Sequence, residues 1–190
     1  MNAIIRTILF MWLCVCAYSC TSGTAHIQKY DNPAQCRFDS IITHYHKAST
    51  NEFNELVLDE MFMQYHNELK TLFDASPVKD WQAQLQSLKS SNITVNGAIY
   101  KRITFDLING LECKPKITFN AVYYAKADSL QSDSVYIKMK SIGNLEKVKF
   151  SGIIKKDENG SVLTTYESLG TSYLMTYPTF EITITDISQQ

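Results

Sequence analysis

Ile99-Tyr100-Lys101-Arg102-Ile103-Thr104-Phe105-Asp106-Leu107 decides the fold class. Ile99, Ile103, Phe105 and Leu107 fall on one side of a two-residue period; Tyr100, Arg102, Thr104 and Asp106 fall on the other. That alternation marks a strand with one buried and one wet face. Working outward toward the C-terminus, it recurs at Ile117, Phe119 and Ala121, at Val135, Ile137 and Met139, at Val148, Phe150, Gly152 and Ile154, and at Phe180, Ile182 and Ile184. Asn96-Gly97, Asn109-Gly110 and Asn159-Gly160 are dipeptides that favour type I′ hairpin turns. Before Ser91 the period is helical. Arg37 to Lys47 reads as a helix with Phe38, Ile41, Ile42 and Tyr45 on one face. Ser49-Thr50-Asn51-Glu52 reads as a capping box. The helix it opens runs to about Phe73, with Phe53, Val57 and Met61 on one row and Leu58, Phe62, Tyr65, Leu69 and Leu72 on the next. Ser76-Pro77 predicts the start of a third helix, striped by Val78, Trp81, Leu85 and Leu88.

Helices first and strands second predict an α+β fold, with N-terminal helices packed on a C-terminal antiparallel sheet or small barrel. The expected domain spans residues 37–190, helical over 37–90 and antiparallel β over 91–190. Two architectures resemble this order. One is a closed or half-closed oligonucleotide/oligosaccharide-binding-like barrel, in which Gly152 lets a strand bend. The other is a curved sheet wrapped around the helices, similar to cystatin-like and nuclear-transport-factor-like folds.

Composition agrees with a packed domain. Of 190 residues, 45% are hydrophobic and 12% aromatic, which argues against disorder. The formal net charge is −1, so there is no general polyanion signal and no nucleic-acid partner is expected. The charge is unevenly spread: Lys101 to Lys156 carries eleven Lys/Arg against five Asp/Glu, Asp31 to Asp80 four against nine. Asp157 to Gln190 has five acids and no base.

The N-terminus reads as an export signal over residues 1–19. Arg6 supplies positive charge ahead of the apolar run Thr7 to Ala17, which is shorter than the roughly 20 residues a membrane span requires. Small residues at Ala17 and Ser19 suit a signal peptidase, and the chain turns polar at Thr21. Ala17-Tyr18-Ser19-Cys20 resembles the lipobox of Gram-negative bacterial lipoproteins, matching at Ser19-Cys20 and departing from the commonest pattern at Ala17 and Tyr18. The resemblance implies Cys20 as the lipid-bearing first residue of the mature protein. It also implies a tether over 20–36 and a cell-envelope location, on the periplasmic side of the outer membrane because Thr21 is not an aspartate. Ordinary cleavage that releases a soluble protein is the alternative.

Five cysteines are present, and Cys14 and Cys16 leave with the signal. With Cys20 lipidated, Cys36 and Cys113 remain as a pair in an oxidising compartment, read either as a disulfide or as two separate buried thiols.

Chemical motifs are sparse. The expected mature chain has no G-x-S-x-G, G-x-G-x-x-G, Walker loop, H-E-x-x-H or C-x-x-C, so no catalytic residue, cofactor or metal is expected. His44 and His46, two apart on a helix, point in divergent directions. Glu52, Glu55 and Asp59 share a helix face opposite the apolar stripe and read as a solvated row. Tyr136, Lys138 and Lys140 on one predicted strand and Lys147 and Lys149 on the next, paired through Ile142-Gly143-Asn144, predict a basic face. Its partner would be an anionic glycan or an envelope protein; lysines that keep a sheet soluble are the alternative. The function expected is membrane-anchored, non-catalytic binding or scaffolding. A lipid-anchored hydrolase or small-ligand-binding domain, built from scattered residues, is the other class.

Overall fold

The computed structural model describes residues 30–109, 115–164 and 171–190. They form an α+β domain: α1 (Pro33–Ser49) and α2 (Glu55–Ala75) precede the strands β1 (Val78–Val95), β2 (Ala98–Asn109) and β3 (Ile117–Lys126). A 3-10 turn (Ala127–Ser129) and α3 (Ser134–Ser141) lead to β4 (Lys147–Ile154), and α4 (Thr171–Thr176) leads to β5 (Thr179–Gln189). The strands hydrogen-bond in the order β1-β2-β3-β5-β4, and β4 pairs back with β1 to close a barrel. Closure is thus the barrel of the two expected architectures, not a curved open sheet. The sheet is mixed, because β3 and β5 run parallel while every other pair is antiparallel.

The barrel interior is a packed core. Trp81, Phe119, Phe150, Phe180 and Ile182 are all buried within it. Phe38, projecting from α1, plugs one end. Its ring centroid lies 5.1 Å from Trp81, 5.3 Å from Phe180, 5.6 Å from Phe119 and 5.7 Å from Phe73. Such tilted and edge-on aromatic contacts add to the area each ring buries.

The first helix matches its predicted face, since Phe38, Ile41, Ile42 and Tyr45 are all buried. It starts earlier than Arg37, because the Asn32 side chain accepts from the amides of Ala34 and Gln35 and Pro33 fits the first turn. Tyr30 is also buried, so residues 30–36 belong to the fold rather than to a tether. Gln35 ties α1 to the barrel: its Nε2 donates to the Gln82 carbonyl (2.8 Å) and its Oε1 accepts from the Gln82 amide (2.9 Å). Those two bonds supply β1 with a rung where β2 has ended. The second helix begins at Glu55 with Asn54 as its cap, not Ser49. Glu52 bonds forward to the amides of Phe53 and Asn54 instead of closing a capping box. Leu58, Tyr65, Leu69 and Leu72 face the core, whereas Phe53 of the other predicted row is exposed.

Two predicted elements are overturned. Val78 to Leu88 is strand rather than a third helix, and Ser76 caps the end of α2. The helical spacing of Val78, Trp81 and Leu85 comes from a β-bulge. Asp80 sits at φ 55° and the β1–β4 register slips between Val78 and Trp81, so both residues face inward three positions apart. Trp81 to Leu85 is then two ordinary strand periods. Conversely, Val135-Tyr136-Ile137-Lys138-Met139 is helix. Asp133 accepts from the Tyr136 amide (2.9 Å) and caps it, and Val135 and Met139, four apart, are its buried residues. Asn96-Gly97 forms the expected turn, with φ 50° and 78°, both positive as type I′ requires. Gly110 lies outside the described residues. At Asn159-Gly160 only the glycine has positive φ, and Asp157 organises the loop by accepting from the amides of Asn159 and Ser161.

Candidate functional site

With α3 helical, the predicted lysine hairpin does not form. Tyr136, Lys138 and Lys140 lie on α3, and Lys147 and Lys149 on β4, so the five residues are divided between two elements. Tyr136 packs partly against the core. Lys138 Nζ is 2.7 Å from Asp186 Oδ1, an exposed pair of small energetic weight. Tyr136 and Lys140 line an open depression of about 820 Å³ between α3 and residues 127–132, and the acidic Asp128 lines it too.

The pairing of β2 with β3 assembles a richer surface. Their register sets Arg102 opposite Tyr124, Tyr100 opposite Lys126 and Asp106 opposite Asn120. Because Ile103, Phe105 and Leu107 point inward, these residues share the outer face. Cross-strand neighbours have Cβ atoms about 4.5–5.5 Å apart, so Tyr100, Arg102, Tyr124 and Lys126 form a patch of two rings and two cations. From the adjoining strand β1 comes Lys89, registered opposite Thr104. A cleft of about 310 Å³ crosses this face, lined by Lys89, Arg102, Asp106, Asn120, Tyr124 and Lys155 among others. At its far side Lys155 Nζ is 2.6 Å from Glu181 Oε2, so that cation is partly neutralised while Arg102 stays exposed. Such a face offers stacking planes, charge-assisted donors and amide or hydroxyl partners.

Alternation already indicated that Tyr100 and Arg102 point outward. Their joining with Tyr124 and Lys126 was not visible, because it requires knowing that β2 pairs with β3 in this register.

A second cluster lies where α1 meets the end of β2. The Tyr30 hydroxyl donates to Asn109 Oδ1, and Asn109 Nδ2 donates to Asp39 Oδ1 at 2.8 Å. Burial pushes the Asp39 carboxyl up to about 7, against the opposing pull of its hydrogen bonds with Tyr30 and Asn109. The folded chain then keeps a proton that the unfolded chain has lost, so stability falls as pH rises from about 4 to about 7 and levels off beyond. Asp39→Asn is expected to flatten that segment of a melting-temperature profile taken at unit pH steps. A slope unchanged by the substitution would assign the dependence to another group.

Cys36 sits on α1, its thiol 3.3 Å from the Tyr30 carbonyl that it donates to. Cys20 and Cys113 lie outside the described residues, and with them the lipidation site and the Cys36–Cys113 pairing. His44 is exposed on α1 and its ring meets Tyr45 edge-on; His46 is half-buried. Glu55 and Asp59 are exposed, and Glu52 serves the turn before α2. Among the described residues no three His, Cys, Asp or Glu side chains gather to hold a metal ion. Among the same residues no helix is long and apolar enough to cross a membrane. Comparison of the chain with protein-family models, with curated proteins and with solved structures finds no match.

Proposed function

We propose that this protein is a membrane-anchored cell-envelope lipoprotein with a non-catalytic binding role, held by lipid on Cys20, and that it binds through the outer face of β2 and β3. The observation that carries the binding half is the Tyr100–Arg102–Tyr124–Lys126 patch, two exposed cations alternating with two aromatic planes across a strand pair. That chemistry suits an anionic group with flat or apolar parts, as an anionic glycan or an acidic protein segment provides. The barrel interior is no rival, because it is filled by side chains and plugged by Phe38.

The anchoring half rests on Arg6, the apolar run that follows and Ser19-Cys20. Two or three acyl chains on Cys20 give stable attachment, whereas one gives marginal binding. Labelling with radioactive palmitate is expected to mark the wild-type chain and to leave Cys20→Ala unlabelled; label persisting in the variant would place the lipid elsewhere. For the binding face, Arg102→Glu is expected to preserve folding, as Arg102 is exposed, and to remove an envelope partner captured by chemical crosslinking. An unchanged partner profile would contradict the assignment.

Asp39 is the observation on the side of a hydrolase, since a carboxyl held near 7 is suited to proton transfer. It lines neither of the two clefts above, and it is already hydrogen-bonded by Asn109. Binding is therefore preferred.

A further inference from the structure

The barrel completes the hydrogen bonding of β1 along half its length and stops. From Val78 to Gln84 the strand pairs with β4, and Leu85 exchanges bonds with Leu145 and Glu146. At Gln82 the side chain of Gln35 fills the rung on the other side. From Gln86 to Val95, β2 is the one strand that pairs with β1 among the described residues. Every residue from Ser87 to Val95 is exposed except the half-buried Ile93. Alternate amides and carbonyls of this segment therefore face solvent, a ready template for another strand. Guards that normally blunt such an edge are scarce, for it contains no proline and Lys89 is its single charge.

We infer that this edge receives an extended, acidic segment of a partner polypeptide as an added strand, an inference that rests on the binding role of the neighbouring face. Charge selects the occupant. No residue from Trp81 to Phe105 is acidic, while Lys89, Lys101 and Arg102 are cationic and Lys126 stands opposite Tyr100. Register then sets the recognition pattern. Ser91 is opposite Arg102 and Ile93 opposite Tyr100, so Lys89, Ser91, Ile93 and Val95 lie on the outer face beside the aromatic–cationic patch. A strand laid along them meets Lys89 with a carboxylate and Ile93 and Val95 with apolar side chains. Main-chain bonds give such a complex its affinity, and the alternate side chains give its selectivity. Pairing with a second copy is the poorer match, since it would set Lys89 and Arg102 of both copies on one continuous sheet.

The test selects decapeptides from a random phage-displayed library on the intact, purified domain. Each enriched sequence is then synthesised unmodified, N-methylated at odd positions and N-methylated at even positions. The inference predicts acidic, proline-free sequences with alternating apolar residues. One N-methylated phase should lose about tenfold or more in affinity, because it blocks the bonds to β1, and the other should lose little. Lys89→Glu should weaken binding by a similar factor, and alternate amides within residues 87–95 should gain hydrogen-exchange protection on binding. Enrichment of sequences without acidic residues, or equal tolerance of both N-methylated phases with residues 87–95 unprotected, would overturn the inference. If such peptides, or a heparin oligosaccharide in their place, still bind and are weakened by Arg102→Glu, the face reading stands while the edge inference falls. If no peptide and no heparin oligosaccharide binds, both fall.

Discussion

Phe38→Ala is expected to destabilise the domain by about 3–5 kcal/mol, the range for emptying a fully buried aromatic site. Phe38 has no exposed surface, and four aromatic rings from α2, β1, β3 and β5 surround it. Those rings belong to different elements, so the surroundings have little freedom to collapse into the space. The loss is a large part of the roughly 5–15 kcal/mol that holds an ordinary domain together. Urea unfolding followed by far-ultraviolet circular dichroism measures it as a lower midpoint at unchanged slope. Phe53→Ala serves as the control. Phe53 is 90% exposed, and its removal should change stability by no more than about 0.5 kcal/mol. A loss below about 1 kcal/mol for Phe38→Ala would mean that α1 does not close the barrel.

The second large effect is at Gly152. A Cβ there would lie 2.7 Å from both Ile182 Cδ1 and the Thr183 carbonyl oxygen. The crowding follows from two register slips that meet at this residue: Val78 pairs with Gly152 and Trp81 with Phe150 on one side, Ser151 with Asp186 and Gly152 with Ile184 on the other. Both neighbouring strands bulge where β4 turns the barrel corner, which brings β5 backbone against the glycine. Gly152→Ala should cost about 1–3 kcal/mol by overpacking, and Gly152→Val more. Gly97→Ala separates space from backbone strain. Gly97 has φ 78° and nothing near its absent Cβ, so its cost, about 1–2 kcal/mol, arises from conformation alone. Equal tolerance of alanine and valine at Gly152 would contradict the corner.

Much of the fold was legible where one physical signal acted alone. Phe38, Ile41, Ile42 and Tyr45 could be assigned to a buried helix face because nothing interrupts their period. Ile103, Phe105 and Leu107 gave the interior row of β2 in the same way. Elsewhere an irregularity shifts the period and disguises the element. One extra residue at Asp80 turned a strand into the apparent stripe Val78, Trp81, Leu85, and a Ser-Pro step beside it mimicked a helix start. At α3 the β-branched Val135 and Ile137 outweighed the Asp133 cap and the four-residue spacing of Val135 and Met139. The basic face was expected from lysines beside a tyrosine on two paired strands, but the first of those segments is helix α3. The patch on β2 and β3 depends on a pairing across the stretch from Asn109 to Ile117, which local pattern does not encode.

Site-specific photo-crosslinking in living cells tests the binding account most directly. A photoreactive phenylalanine analogue replaces Tyr124 in one strain and Lys149, exposed on β4, in another. The account predicts a discrete adduct from position 124 that disappears when Arg102→Glu is added, and none of comparable yield from position 149. Equal adducts from the two positions, or an adduct at 124 indifferent to Arg102→Glu, would contradict a binding face on β2 and β3.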